Sequence, residues 1–438
     1  MPEMKKYLPI LLVLLIARPV AAQDAKTLLR ENPERLSNIH HSYEPPEVIV
    51  DTPAPAGYEP FYVSHYGRHG SRYHTSARAV TIVSTVLDTL GMMDCLTEEG
   101  RELRDELDTL LKFHDGQAGC LTTRGGLEHQ GIARRMYDRV PSLFTQKDRQ
   151  RVVAEASPSS RCIQSMANFT LSLSSQAPDL DFTVYAGYRF LPHLAPGSAI
   201  PLNESHSTII DSVLVARLDP ARIMKAWFTD PWFAAQHLGG QKVRNFIYNV
   251  YYAGAICQCL SLDYDNVPDI FGHFTEEELY TLWFVDDIAN YNYFANTVEN
   301  LNRYDMTGQG VLKDIVKKAD QAVAGNDVAA DLRFGHDSGL MSLWVFLRME
   351  GNETAYPMAE GPERGWYCFQ EMPMGSNMQL VFYKNAKDDV IVKILRNEQE
   401  AFIPALKTWQ GPYYKWKDLR AYFGKLLAIP YPDPGVAF

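Results

Sequence analysis

Several signatures that would place a chain in a common class are missing from this one. It has no Gly-x-x-x-x-Gly-Lys-Ser/Thr loop and no His-Glu-x-x-His pair. That removes the usual phosphate-cradling loop of nucleotide hydrolases and the zinc helix of metalloproteases. Basic residues are in deficit: 42 Lys and Arg stand against 53 Asp and Glu, a net charge of −11. Such a balance argues against nucleic acid or an anionic membrane as the main partner. It leaves room for an anionic small molecule, because a few local arginines outweigh a distant, screened field. Long apolar runs are absent beyond Leu8–Ala17, which is too short to span a bilayer. Asp263-Tyr264-Asp265-Asn266 lacks the glycine of a calcium loop and reads as a turn. There is no internal repeat and no low-complexity segment.

What is present begins with a targeting pattern. Lys5 and Lys6 precede the apolar run, and Val20-Ala21-Ala22 puts small residues before Gln23. Residues 1–22 are therefore expected to be a signal peptide cleaved after Ala22. No cysteine follows that point to take a lipid anchor. The expectation is an exported protein, periplasmic or secreted. Losing Lys5, Lys6, Arg18 and Glu3 takes the net charge from −11 to −13. With 438 residues and 46% hydrophobic content, the chain can bury a full core without covalent staples. Cys95, Cys120, Cys162, Cys257, Cys259 and Cys368 are free to pair in an oxidising compartment. Cys95 with Cys120 closes the most natural loop, and spacing leaves the connectivity open. Cys257-x-Cys259 lies in an apolar run and reads as buried thiols or a disulfide rather than a metal site.

Residues 23–60 are polar and dotted with prolines at 45, 46, 53, 55 and 60, an arm expected to wrap the core. From Phe61 to about Gly187, strand and helix patterns alternate. The strands are Phe61–Ser64, Arg151–Ala156 and Phe182–Ala186, and helical spacing covers Ser76–Leu90, Glu98–Phe113, Gly126–Val140 and Arg161–Ser174. From about Phe190 to Ala324 the pattern is helical and aromatic-rich, with a capping box at Thr275-Glu276-Glu277-Glu278. Trp227, Trp232, Tyr248, Tyr251 and Tyr252 in this stretch read as core packing. The alternation then resumes with strand Leu332–Phe334, helix Leu340–Met349 and a hairpin pairing Met378–Tyr383 with Val390–Leu395. The expected architecture is α/β: a mainly parallel sheet flanked by helices. Residues 23–189 and 325–438 would build it, and residues 190–324 would form an inserted α-helical cap over the strand ends.

Three of these strands end in residues suited to one chemistry. The first delivers Arg68, His69 and Arg72; the second delivers Arg161; the third delivers His336 and Asp337. Side by side in one sheet, their loops would meet at its carboxyl edge. A phosphomonoester dianion needs several cationic donors, and the guanidinium fork binds two oxygens at once. An imidazole can take the phosphoryl group covalently, provided it is neutral, and flanking arginines disfavour the imidazolium. On this reading His69 is the nucleophile, Arg68, Arg72, Arg161 and His336 hold the phosphate, and Asp337 serves as general acid and then general base. Gly67 and Gly70 are expected to let the backbone approach the phosphate or take positive φ.

Arg68-His69-Gly70-Ser71-Arg72 resembles the Arg-His-Gly-x-Arg signature of the histidine acid phosphatases, and Gly335-His336-Asp337 resembles their distal His-Asp element. Leu121-Thr122-Thr123-Arg124-Gly125 and Ser160-Arg161-Cys162-Ile163-Gln164-Ser165-Met166 are similar to the segments between them. Within the family the context is most like the multiple inositol polyphosphate phosphatases, which include phytases. The resemblance implies a phosphoglycerate mutase-like α/β domain with a helical cap and no metal or cofactor. It also implies His69 as phosphorylated nucleophile, Asp337 as proton donor, and Arg68, Arg72, Arg161 and His336 as phosphate ligands. Tyr73-His74 stands where the wider family often has a proline, and His336-Asp337 where the inositol polyphosphate branch commonly has His-Ala-Glu. An aspartate donor is typical of other members.

The expected partner is a small phosphorylated substrate, an inositol polyphosphate such as phytate, with sugar phosphates or other small phosphomonoesters as the alternative. The signal peptide, helical insertion and distal His-Asp argue against a phosphoglycerate mutase-like transferase. Intact His69 and Asp337 argue against a non-catalytic binding protein. A highly phosphorylated ring would need further cations at the rim, for which Arg78, Arg189 and Lys242 are candidates.

Overall fold

A computed structural model describes residues 24–196, 206–299 and 307–430. The expected signal peptide lies outside the described residues. Their strands form one eight-stranded sheet: β1 Glu59–Arg68, β2 Arg151–Ala156, β3 Asp181–Ala186, β4 Val328–Gly335, β5 Asn377–Lys384, β6 Val390–Arg396, β7 Gln399–Glu400 and β8 Tyr413–Lys415. The spatial order is β3-β2-β4-β1-β5-β6-β7, with β8 pairing β6. The half of the sheet from β3 to β1 is parallel, whereas β5 to β8 are antiparallel. This is the expected α/β sheet, with the hairpin on the predicted residues.

Strand register sets where the loops emerge. Arg68 lies opposite Gly335, and Ala156 lies opposite Phe334. Strands β1, β4 and β2 therefore stop at one level and release their three loops side by side. Every residue of β4 is buried, as a strand covered by helices on both faces must be.

The helices obey local rules. Thr97 accepts the Gly100 N–H at 3.0 Å to open the helix Glu98–Phe113, whose Leu103, Leu107 and Leu110 are fully buried. Each such leucine contributes about 1.5–3 kcal/mol by leaving water. The Thr275 capping box forms as expected, opening the helix Glu276–Phe294. Described residues between β3 and β4 are mainly helical, and from Ile209 to Ala289 they pack with the helices Arg78–Met92 and Glu98–Phe113 around a shared core. Trp227, Tyr248 and Tyr251 belong to that core, whereas Trp232 is exposed. The arm is partly helical, with Ala25–Glu31 and a 3-10 segment Pro33–His40. All six cysteines are unpaired, so the Cys95–Cys120 bridge is not made. Cys95 instead donates to the Asp230 carbonyl at 3.6 Å.

One close approach needs glycine. A Cβ on Gly70 would meet the Gly125 carbonyl oxygen at 2.6 Å, and one on Gly125 would meet the Ser71 carbonyl oxygen at 2.2 Å. The loop after β1 thus rests directly on the start of the helix Thr123–Arg139. Gly70 and Gly67 are not among the positive-φ glycines; at Gly70 the missing side chain serves helix packing.

Candidate active site

His69 leaves β1 with its backbone pinned on both sides. Its N–H donates to the Gly335 carbonyl at 3.1 Å, and its carbonyl accepts from Gly375 N–H at 2.9 Å. The imidazole Nδ1–H donates to the Gly70 carbonyl at 2.9 Å, an arrangement that leaves the Nε2 lone pair free. The side chain is almost wholly buried. Burial holds its pKa well below the usual histidine value, and Arg161, Arg68, Arg72 and His336 push it further down. The ring is neutral, the state a nucleophile requires.

The other predicted residues converge on it. Arg68 is fully buried, donates to the carbonyls of Met372 and of Ile39 (3.0 Å), and lies 3.2 Å from the Asp337 carboxylate. Arg161, in the first turn of the helix Ser160–Gln176, donates to His336 Nδ1 at 3.2 Å. His336 Nε2–H then faces Ser157 Oγ at 2.9 Å, and its ring centre is 5.7 Å from that of His69. Arg72 donates to its neighbour's carbonyl, Tyr73 O, at 3.0 Å. The Nε–H groups of Arg68, Arg72 and Arg161 are buried without an acceptor among the described residues.

Electrostatics sharpen the picture. Burial, together with Arg68 and Arg161, draws Arg72 down to about 10 despite opposing pulls from Tyr252 and Asp337. Burial and Arg161 bring His336 to about 4. Burial alone would raise Asp337, but Arg68, His336, the Ser338 N–H and Arg72 together hold it below the ordinary carboxylate value. With both histidines neutral, three guanidinium charges face one carboxylate. The site carries two positive charges in excess, matching a dianion.

Sequence reasoning missed several contributors. Ser157 orients His336, and the arm supplies the Ile39 carbonyl to Arg68. The turn Met372–Ser376 holds Arg68 and His69 through Met372, Gly375 and Ser376. His40 packs edge-on to His74 and Tyr252, with Arg72 and Arg68 close enough to depress its pKa after burial. Asn38, at φ 51° and ψ −116° inside the 3-10 segment, is the one local oddity of this arm, and it is fully buried. Its side chain donates to Asp286 at 2.9 Å. Such strain is invisible in a sequence. Of the rim cations, Lys242 pairs with Asp211 at 2.9 Å and Arg189 lies over the rings of Tyr185 and Phe190. Arg78 is exposed and lines a cavity of about 260 Å³ with His74, Asn249 and Tyr252.

No family model matches the sequence, and no curated protein matches it. Solved structures do. The multiple inositol polyphosphate phosphatase of Bifidobacterium longum, in complex with phosphate, superposes with a TM-score of 0.75 at 17% identity, over 92% of this chain and 99% of that one. The phytase from D. castellii gives 0.65 at 16% identity, over 94% and 89%. The Hafnia alvei phytase gives 0.50 at 14%, over 86% and 98%. The chain has their fold. At these identities the likeness speaks for architecture, and the reading of the site rests on its own geometry.

One other grouping of ligand-type side chains stands out among the described residues: Glu155, His193 and Asp314. Lys318 Nζ lies 2.8 Å from Glu155 and 3.3 Å from Asp314, so an ammonium already fills the place a cation would take. No described helix is long and apolar enough to cross a membrane.

Proposed function

We propose that this chain is an exported phosphatase of the histidine acid phosphatase type, acting through a phosphohistidine intermediate on inositol polyphosphates such as phytate. The observation that carries the reading is the neutral, buried His69 ringed by Arg68, Arg72 and Arg161, with Asp337 at 3.2 Å from Arg68.

In the first step, His69 Nε2 forms a bond to phosphorus while the ester P–O bond breaks. The three arginines and His336 neutralise the equatorial oxygens, whose charge grows in the transition state. Asp337 gives its proton to the leaving oxygen. It is ionised in the free site and takes up one proton from solvent as the dianion binds, because the dianion raises its proton affinity. The phosphate adds negative charge beside it and draws off Arg68, both of which raise a carboxyl pKa. In the second step Asp337 takes a proton from water as the water attacks phosphorus, restoring His69. No metal takes part in this scheme.

The substrate assignment is supported by the shared fold with a multiple inositol polyphosphate phosphatase and by the exposed Arg78, which lines a cavity with Tyr252, a neighbour of Arg72. The helices of residues 190–324, read as a cap, would supply selectivity. The N-terminal pattern carries the export reading. Product analysis of the purified protein with phytate against simple sugar phosphates tests the assignment. Lower inositol phosphates are the expected product, and preferential release of phosphate from sugar phosphates would overturn it.

A further inference from the structure

Glu128 takes no part in the phosphoryl-transfer steps, yet it sits directly behind the His69 loop. Its Oε2 accepts the Ser71 N–H at 2.8 Å, and its Oε1 accepts the Tyr43 N–H at 3.0 Å. Oε1 also lies 2.6 Å from Ser71 Oγ. Ser71 Oγ in turn lies 2.9 Å from Ser42 Oγ, and Ser42 Oγ lies 2.7 Å from Gln258 Oε1. Glu128, Ser71, Ser42 and Gln258 thus make three consecutive oxygen–oxygen contacts, each at hydrogen-bond length.

Each contact needs one proton, and the protons can be counted. Gln258 Oε1 brings none. Its orientation is settled because Nε2 donates to the His40 carbonyl, and because the Ser42 N–H also points at Oε1, at 3.3 Å. The two serines bring one proton each. The third must sit on Glu128.

We infer that Glu128 is a positioning residue that works as a neutral carboxylic acid. Its Oε1–H donates to Ser71, Ser71 to Ser42, and Ser42 to Gln258. The chain clamps the loop carrying His69 and Arg72 to the arm at Ser42 and to the helical region at Gln258. When the proton leaves, Ser71 turns its O–H back to the carboxylate. The Ser71–Ser42 contact is then left with lone pairs on both sides. A buried chain that is only partly satisfied costs more than the one bond it lacks.

The surroundings agree. Burial raises the Glu128 pKa to about 7, against the lowering effects of Ser71, Tyr43 N–H and Arg124. The titratable groups that face it are few. Arg124, on its own helix, is paired with Glu34 at 2.8 Å. Tyr43, from the arm, turns its phenol away to Glu398 at 2.9 Å. Cys259, from the helical region, is a thiol whose pKa burial has raised to about 11. Gly70 and Gly375, which also lie against its carboxylate, carry no charge.

The inference rests on the phosphatase reading for its consequence and not for its proton count. Glu128→Gln is the decisive variant, because it never titrates; its amide N–H can donate to Ser71, at the cost of the Tyr43 N–H that Oε1 accepts. Its kcat is expected to be lowered by a constant factor, the same at pH 5 as at pH 8, for the lost Tyr43 contact. Between pH 5 and pH 8 the wild type is expected to lose about tenfold relative to the variant, as a group titrating at about 7 empties. Infrared difference spectra of wild type minus Glu128→Gln at pH 5 are expected to show the carbonyl stretch of a protonated carboxyl, fading by pH 8. An ionised Glu128 at pH 5 would overturn the inference, as would equal pH profiles for the two proteins. Because the infrared measurement uses no substrate, an inactive wild type would count against the phosphatase reading alone.

Discussion

Arg161 offers the sharpest quantitative handle on the site, because it acts on both histidines at once. It donates to His336 Nδ1 at 3.2 Å, and after burial it is the largest influence depressing the pKa of His69 and of His336. Arg161→Met keeps length and removes charge, and the loss acts in two ways. Phosphate binding loses a charge-assisted hydrogen bond worth about 1.5–3 kcal/mol, and the excess of positive charge facing the dianion halves. That is about 10- to 150-fold in kcat/KM. Both imidazoles also lose a repelling charge, so their pKa values rise and more of His69 is protonated at acidic pH. The acid limb of the pH profile should therefore move to higher pH. The assay is kcat/KM for a nitrophenyl phosphate and inhibition by inorganic phosphate, from about pH 3.5 to pH 8. A loss smaller than about threefold with an unmoved acid limb would refute the placement of Arg161 over His69 and His336.

Three further outcomes are expected. Asp337→Asn removes the proton donor, so turnover of alkyl phosphates should fall by about 10²–10⁴-fold, and that of nitrophenyl phosphate far less; steady-state rates across leaving groups check this, and a uniform loss would contradict it. Gly70→Ala places a Cβ against a backbone carbonyl at 2.6 Å, an overpacking cost of about 1–3 kcal/mol; thermal unfolding should show a lowered Tm, and an unchanged one would contradict the contact. Burial holds His74 and His129 near 3 and His336 near 4, and His40, His65 and His69 well below the ordinary value. The unfolded chain binds protons at these positions first, so stability is fully present above about pH 6.5. It falls progressively as pH drops below that value, each of these histidines adding to the loss. Denaturant titrations at pH 7 and pH 5 check the trend, and equal midpoints would contradict it.

Much of the frame was legible in advance, for identifiable reasons. Strand β2 and the helix Glu98–Phe113 begin and end where hydrophobic periodicity places them. The motifs fall on strand ends because a polar loop after an apolar strand has few other places to go. Strand order was not legible: nothing in a period-two pattern says that β4 lies between β2 and β1, and that pairing is what brings Gly335 beside Arg68. Nor were the carbonyls of Ile39 and Met372 that hold Arg68, since any residue supplies a carbonyl. Gly70 suggests backbone freedom near a phosphate, whereas a helix backbone occupies the space its side chain would need. The cysteine spacing invites a bridge that the fold does not make, since Cys95 is buried against Asp230.

In the proposed reaction His69 Nε2 takes the phosphoryl group. Rapid mixing of enzyme and a phosphomonoester, stopped in alkaline denaturant to preserve a phosphoramidate and completed by peptide mass analysis, tests it directly. Phosphate is expected on the peptide carrying His69, and none in His69→Ala. Phosphate on another residue, or wild-type turnover by His69→Ala, would contradict it.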